Sequence, residues 1–146
     1  MAYADGFLLP VPTKNLAAYR KMSQQAGEVW MEHGALDYKE CVGDDLNVQG
    51  MTASFVTTSF PKMMKLKRGH TLVFSWIVYA SKAERTRILK KVMADPRLNA
   101  PGKMPFDPKQ MLFGGFDVMV DMAPRVAPKR TKKAVKKKSA AKKARR

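Results

Sequence analysis

An apolar run at Thr71–Tyr79, TLVFSWIVY, constrains the fold of this 146-residue chain more than any other feature. It is rich in β-branched and aromatic residues, which favour strands. Successive side chains of a strand point to opposite faces of a sheet, so a strand with apolar residues on both faces is buried on both sides. The run is only about half of the ~20 residues that a membrane-spanning helix needs. We therefore expect a central strand and no membrane span.

Strand and helix patterns alternate on either side of this run. In chain order, the predicted elements are a strand at Tyr3–Val11, a helix at Thr13–His33 ended by Gly34, a strand at Ala35–Val42, the central strand, a helix at Ser81–Ala94 that opens with the capping sequence SKAE, and a strand at Met111–Asp121. The segment Leu46–Gly69 fits a short strand or a surface excursion with one helical turn. This order predicts an α+β fold with the ferredoxin-like βαββαβ plan.

The predicted sheet has one face that its own helices do not cover. Two helices pack on one face of a four-stranded antiparallel sheet in this plan, yet the strands are apolar on both faces. The second face is most simply buried against a second copy of the chain. We therefore expect residues 1–123 to form a twofold homodimer, a dimeric α+β barrel whose two sheets enclose an interior.

Five segments of the chain resemble one bacterial family, domain of unknown function 1428. They are YADGFLLPVP at Tyr3–Pro12, GALDYKECVGDD at Gly34–Asp45, VFSWIVY at Val73–Tyr79, KVMADPR at Lys91–Arg97 and MPFDPKQMLFGGF at Met104–Phe116. The resemblance implies a dimeric α+β barrel, and some members carry RNA-related names tied to the signal recognition particle. It implies no catalytic residue. Ala80 and Gln110 depart from the family pattern, in which proline and arginine are typical.

The sequence gives little support to metal or thiol chemistry. Cys41, His33 and His70 supply all the thiol and imidazole groups, and no two stand at a ligand spacing such as CxxC or HExxH. We expect Cys41 to be a buried strand thiol; the alternative is a nucleophile with His33 as its base. No metal and no cofactor is predicted. A single cysteine excludes an internal disulfide and fits a reducing compartment.

Two carboxylates inside apolar strands are the candidates for acid–base catalysis in the barrel. Alternation places Asp5 with Tyr3 and Phe7, and Asp117 with Phe113. A carboxylate buried beside aromatic rings has a raised pKa and can act as a base. The alternative is that one or both carboxylates lie at a strand end or pair with a basic neighbour. The aromatic residues predicted to line the pocket are Tyr3, Phe7, Trp76 and Phe113.

The last 23 residues, 124–146, contain 12 Lys or Arg and no Asp or Glu, out of a net charge of +16 for the chain. Such a segment cannot bury a core and is predicted to be disordered. It resembles the tails of bacterial histone-like proteins. It has no aromatic or leucine residue, so phosphate attraction is favoured over base stacking or membrane insertion. The predicted nucleic-acid contacts are Lys129, Arg130, Lys132, Lys133, Lys136, Lys137, Lys138, Lys142, Lys143, Arg145 and Arg146.

Two functions follow from these observations. The first is nonspecific binding of DNA or RNA phosphates through the tail of a cytoplasmic, nucleoid-associated homodimer, with a solubilising tail as the alternative. The second is a small cofactor-free enzyme or small-molecule-binding protein that uses the barrel interior. In that case the tail only localises the protein. The chain shows no signal-peptide pattern at its start.

Overall fold

The computed structural model describes residues 1–47, 54–99 and 101–123. The predicted tail lies outside the described residues, and so do residues 48–53 of the segment whose structure the sequence left open. The strands are β1 (Tyr3–Pro12), β2 (Asp37–Val42), β3 (His70–Tyr79) and β4 (Leu112–Asp117). The helices are α1 (Leu16–His33), the single-turn α2 (Phe60–Met63) and α3 (Lys82–Met93). The fold is α+β, as the sequence predicts.

The four strands form one antiparallel sheet in the order β2-β3-β1-β4. β3 pairs with β1 and with β2, which confirms the prediction that TLVFSWIVY is a central strand. β4 is shorter than predicted, because its pairing with β1 ends where Tyr3 meets Asp117. Beyond that point one backbone hydrogen bond remains, from the Val118 amide to the Ala2 carbonyl at 3.0 Å. A strand without a partner cannot continue.

Local capping signals set the ends of the two long helices. α1 begins at Leu16 instead of Thr13, because Thr13–Asn15 form a single 3-10 turn. It ends at His33 and is capped by Gly34, whose φ of 115° is left-handed and therefore favours glycine. At the start of α3 the Ser81 hydroxyl accepts a hydrogen bond from the Glu84 amide at 3.1 Å, which confirms the predicted N-cap.

Both long helices pack on the same face of the sheet, which we call the helix-facing side. One buried cluster joins Val29 of α1 and Ile88 of α3 to Tyr79 of β3. A second cluster joins Tyr19 of α1 to Leu9 of β1 and Val73 of β3. The core therefore lies between the helices and odd-numbered residues of β1 and β3.

The opposite side of the sheet, the open face, is largely uncovered in the protomer. Phe74, Leu112 and Phe116 are 48%, 56% and 60% exposed on it, and Phe60 of α2 stacks on the Phe74 ring. Cys41 lies opposite Phe74 on this face and is exposed. The prediction that Cys41 is buried is therefore wrong for the protomer, because β2 is an edge strand and this residue points away from the helices.

Candidate functional site

A carboxylate on the edge strand β2, Glu40, accepts hydrogen bonds from two tyrosine hydroxyl groups while the residue as a whole stays exposed. Its Oε2 accepts a hydrogen bond from the Tyr19 hydroxyl at 2.8 Å, and its Oε1 accepts one from the Tyr38 hydroxyl at 2.9 Å. The buried Ser75 of β3 lies opposite Glu40 in the register of the two strands. A helix and a strand thus each bring a tyrosine hydroxyl to one acid.

Strand alternation and a helical glycine together produce this arrangement. Tyr38 and Glu40 are two residues apart on β2, so both point to the helix-facing side. Gly27 of α1 lies directly over the Tyr38 ring, where an added Cβ would come within 2.8 Å of ring carbons. Because such a contact is too close, a glycine at this position is what lets α1 approach the ring.

The pKa of the site residues follows from their partial removal from water. Burial raises the pKa of Glu40 above its ordinary 4.5, and the hydrogen bonds from Tyr19 and Tyr38 only partly reverse the effect. Burial and the negative charge of Glu40 raise the pKa of both tyrosines. The tyrosines are therefore neutral donors at physiological pH, and Glu40 is the group that can gain or lose a proton.

Two hollows meet at this carboxylate. The inner cavity, of about 150 Å³, lies between α1 and the sheet and is mostly apolar. Its apolar lining includes Phe7, Leu9, Met22, Trp30, Phe106 and Met111. The outer groove, of about 560 Å³, is open to solvent and is lined by Leu16, Ala17, Arg20, Val42 and Val73. Tyr19, Ser23 and Glu40 line both hollows and form their junction.

The MPFD segment contributes Phe106 to the wall of the inner cavity. Phe106 packs edge-on against the Tyr19 ring, with ring centroids 5.7 Å apart. The Asn15 side chain, at the start of α1, donates a hydrogen bond to the Pro105 carbonyl at 3.0 Å and anchors the segment. A part of the chain that has no regular structure of its own thus completes the cavity wall.

Asp5 belongs to a separate buried cluster on the helix-facing side. Its carboxylate is 2% exposed and accepts hydrogen bonds from Arg85 Nε and the Tyr79 hydroxyl, each at 3.0 Å. The Tyr79 hydroxyl in turn accepts one from Trp30 Nε1 at 3.1 Å. The residue therefore lies beneath α3 rather than on the open face that a barrel between two sheets would enclose. Pairing with a basic neighbour is the alternative that the sequence left open.

The other predicted site residues are spread over the molecule. Asp117 is exposed at the last position of β4. The Tyr3 hydroxyl lies across Gly115 of β4, and Phe113 packs on Phe7 at a centroid distance of 5.1 Å. Phe7 lines the inner cavity, whereas the Trp76 side chain lies on the open face, where its indole N–H donates a hydrogen bond to Asp37 Oδ2 at 3.1 Å. Catalytic roles for Asp5 and Asp117 stay predictions.

The two residues considered for thiol catalysis are not partners in the structure. His33 Nε2 lies 3.0 Å from Asp95 Oδ2, in a surface cluster where Arg97 also contacts Asp95 and Glu32. Within the described ranges, no group of three or more His, Cys, Asp or Glu side chains could hold a metal ion. No described helix is long and apolar enough to cross a membrane.

Comparison with known proteins shows the family of this chain. The family model described as Protein of unknown function (DUF1428) matches residues 2–108, which include β1 through the MPFD segment. The chain belongs to this family. It is 38% identical over 122 residues to the uncharacterized protein YbaA of Escherichia coli K12, an alignment that covers 83% of this chain and 99% of that protein. The match to YbaA of Shigella flexneri has the same identity and coverage.

Similarity to solved structures is weaker. An uncharacterized NIPSNAP domain protein from Burkholderia xenovorans aligns with a TM-score of 0.42 at 12% identity, over 84% of this chain and 99% of that one. The de novo designed protein Foldit4 aligns with a TM-score of 0.37 at 9% identity, over 80% of this chain and 94% of that one. The names of these proteins state no substrate, so the function is argued from the site itself.

Proposed function

We propose that this protein binds a small organic molecule at the junction of the inner cavity and the outer groove, and that Glu40 acts on it as a proton acceptor. The observation that carries the proposal is the Glu40 carboxylate, held by the hydroxyl groups of Tyr19 and Tyr38 at the point where the two hollows meet. A raised pKa brings the titration of a carboxylate closer to neutral pH, which is what a general base requires.

The neighbouring groups fit this role. Tyr19 and Tyr38 hold the carboxylate in one orientation, and each hydroxyl uses its single proton in the hydrogen bond to Glu40. Most of the inner cavity wall is apolar, so a bound molecule would be largely removed from water. The arrangement therefore suits the removal of a proton from a weakly acidic carbon or oxygen.

Phenol is a simple probe of this site, because it combines one apolar ring with one hydrogen-bond donor. We expect phenol to bind the full chain and Glu40→Gln to weaken binding about tenfold, since a charged acceptor forms the stronger hydrogen bond. Glu28→Gln is the matched control, because Glu28 is a glutamate on α1 that lines neither hollow. Calorimetry of the three proteins measures the effect. Equal phenol affinity in the wild type and Glu40→Gln would refute the site.

We also propose that the protomer is ferredoxin-like and pairs with a second copy through its open face. The strand order β2-β3-β1-β4 and the exposed aromatic residues on that face support this proposal. Phe74→Glu should then shift the sedimentation coefficient from that of a dimer to that of a monomer. Met93→Glu, at an exposed position on α3, should leave it unchanged. A monomeric wild type would contradict the pairing.

A second candidate function is nonspecific nucleic-acid binding by residues 124–146. The favouring observation is their 12 basic residues without an acidic one. If about 6–10 of these charges contact phosphates, affinity should fall about 10³–10⁵-fold between roughly 50 and 200 mM salt. DNA and RNA binding by the full chain and by a chain ending at Ala123 would be compared across this range. Equal binding by the two proteins would exclude the tail as the contact.

A further inference from the structure

We infer that the ligand of this site is a monocyclic aromatic compound with a hydroxyl group and a short anionic arm on adjacent ring carbons. This inference rests on the proposed function and specifies its ligand class. It combines the size of the inner cavity, the remaining hydrogen-bonding capacity of Glu40 and the position of Arg20.

The inner cavity has the size of one ring. An apolar cavity of about 150 Å³ is large enough to bind benzene, and the inner cavity has about this volume. Its walls include the aromatic side chains of Phe7, Trp30 and Phe106 together with the flexible Met22 and Met111. Aromatic rings pack well against such walls in edge-to-face or offset geometry.

Glu40 retains capacity for a further donor. A carboxylate offers about four lone-pair directions, and the hydroxyl groups of Tyr19 and Tyr38 occupy two of them. A remaining direction can accept a hydrogen bond from a ligand hydroxyl. Because Tyr19 and Tyr38 already donate to the carboxylate, the acceptor for the ligand proton is Glu40 itself.

Arg20 supplies a positive charge in the outer groove. It is exposed on α1 and lines the same groove as Glu40. Among the residues that the structure describes, the ion pairs are formed by His33, Lys39, Arg85, Arg87 and Arg97 with their carboxylates, and none includes Arg20. A guanidinium group binds a carboxylate through two parallel hydrogen bonds. A ligand anion in the groove therefore has a cation available to it.

The positions of these groups determine the substitution pattern of the ring. The inner cavity and the groove share only Tyr19, Ser23 and Glu40 among their lining residues, so a ligand that occupies both hollows passes between these three. Its hydroxyl and its anionic arm must therefore leave the ring on the same side, from adjacent carbons. A para arrangement would force one polar group against the apolar wall, where it has no hydrogen-bond partner and costs free energy.

The inference is tested by measuring how tightly the wild-type full chain binds three compounds. These are 2-hydroxyphenylacetate, its 4-hydroxy isomer and 2-methylphenol, which lacks the anion. We expect 2-hydroxyphenylacetate to bind about tenfold more tightly than either of the others. This factor is at the lower end of what a hydrogen bond between charged groups contributes to affinity. Arg20→Gln should abolish this advantage and leave the affinity for 2-methylphenol unchanged. Lys21→Gln, which removes the next exposed cation on α1, should preserve it.

The outcomes separate this inference from the proposed function. If 2-methylphenol binds in a Glu40-dependent way but 2-hydroxyphenylacetate binds no more tightly, the inference about the anionic arm is wrong and the proposed function stands. Equal affinity for the two hydroxyphenylacetate isomers, or an advantage that survives Arg20→Gln, also overturns the inference. If no ring compound binds in a Glu40-dependent way, both are wrong.

Discussion

Removing the guanidinium that neutralises the buried Asp5 should destabilise the protein far more than removing a similar surface charge. Asp5 is 2% exposed, and Arg85 is the cation on its carboxylate, at 3.0 Å. Losing one partner of a buried ion pair costs about 3–5 kcal/mol, because the other charge stays buried without compensation. The Arg85 side chain is 22% exposed, so we take the lower end of this range of free energies. Arg85→Ala should cost about 3 kcal/mol, or roughly 10 °C in melting temperature.

The comparison with Arg87 gives this prediction its control. Arg87 lies on the same helix and pairs with Glu84 at the surface, where both side chains are more than 40% exposed. Solvent-exposed pairs contribute little, so Arg87→Ala should leave the unfolding midpoint close to that of the wild type. Urea denaturation of both variants at neutral pH measures the difference.

A double-mutant cycle identifies the cause of the loss. Asp5→Asn removes the buried charge, so in the Arg85→Ala background it should recover a large part of the lost stability. In the wild-type background the same substitution should be destabilising, since it breaks the ion pair. Equal losses for Arg85→Ala and Arg87→Ala, or a coupling energy near zero between Asp5 and Arg85, would refute the reasoning.

Three further predictions concern single residues. Ser81→Ala should cost about 1 kcal/mol in urea denaturation by removing the N-cap of α3, and an unchanged midpoint would contradict that role. Gly115→Ala should cost about 1–3 kcal/mol, because its Cβ would lie 2.3 Å from the Tyr3 hydroxyl; if Tyr3→Phe recovers none of this loss, the hydroxyl is not the cause. Because the pKa of Glu40 is raised above 4.5, its contribution to stability is full below that pH and is lost as pH rises through the folded-state pKa. The wild type should therefore lose stability relative to Glu40→Gln between mildly acidic and neutral pH; parallel pH profiles would exclude a raised pKa.

The sequence predicted the elements of the fold well, because its signals are local. The apolar run of β3, the Ser81 cap and the glycine that ends α1 each act within a few residues, and the structure contains all three. The exposure of Cys41 was predicted wrongly, because whether an edge strand is covered on its second face depends on tertiary and quaternary packing. Strand periodicity does not carry that information.

The site could be predicted only in part, because its groups meet through tertiary contacts. Alternation within β2 does place Tyr38 and Glu40 on one face, a signal that the sequence contains. Nothing local indicates that Tyr19 of α1 donates to the same carboxylate. Asp5 is buried, as its apolar strand suggests, but its partner Arg85 lies 80 positions along the chain. The sequence therefore indicates the buried Asp5 but not Glu40, the carboxylate beside the cavity.

The measurement that tests the proposed site most directly is the titration of the Glu40 carboxyl group by carbon-detected NMR of the full chain, with and without phenol. We predict a pKa above 4.5 in the free protein, because burial disfavours the charged form. Phenol should lower that pKa, because a donated hydrogen bond favours the carboxylate. An ordinary pKa that phenol does not change would contradict a role for Glu40 as the proton acceptor.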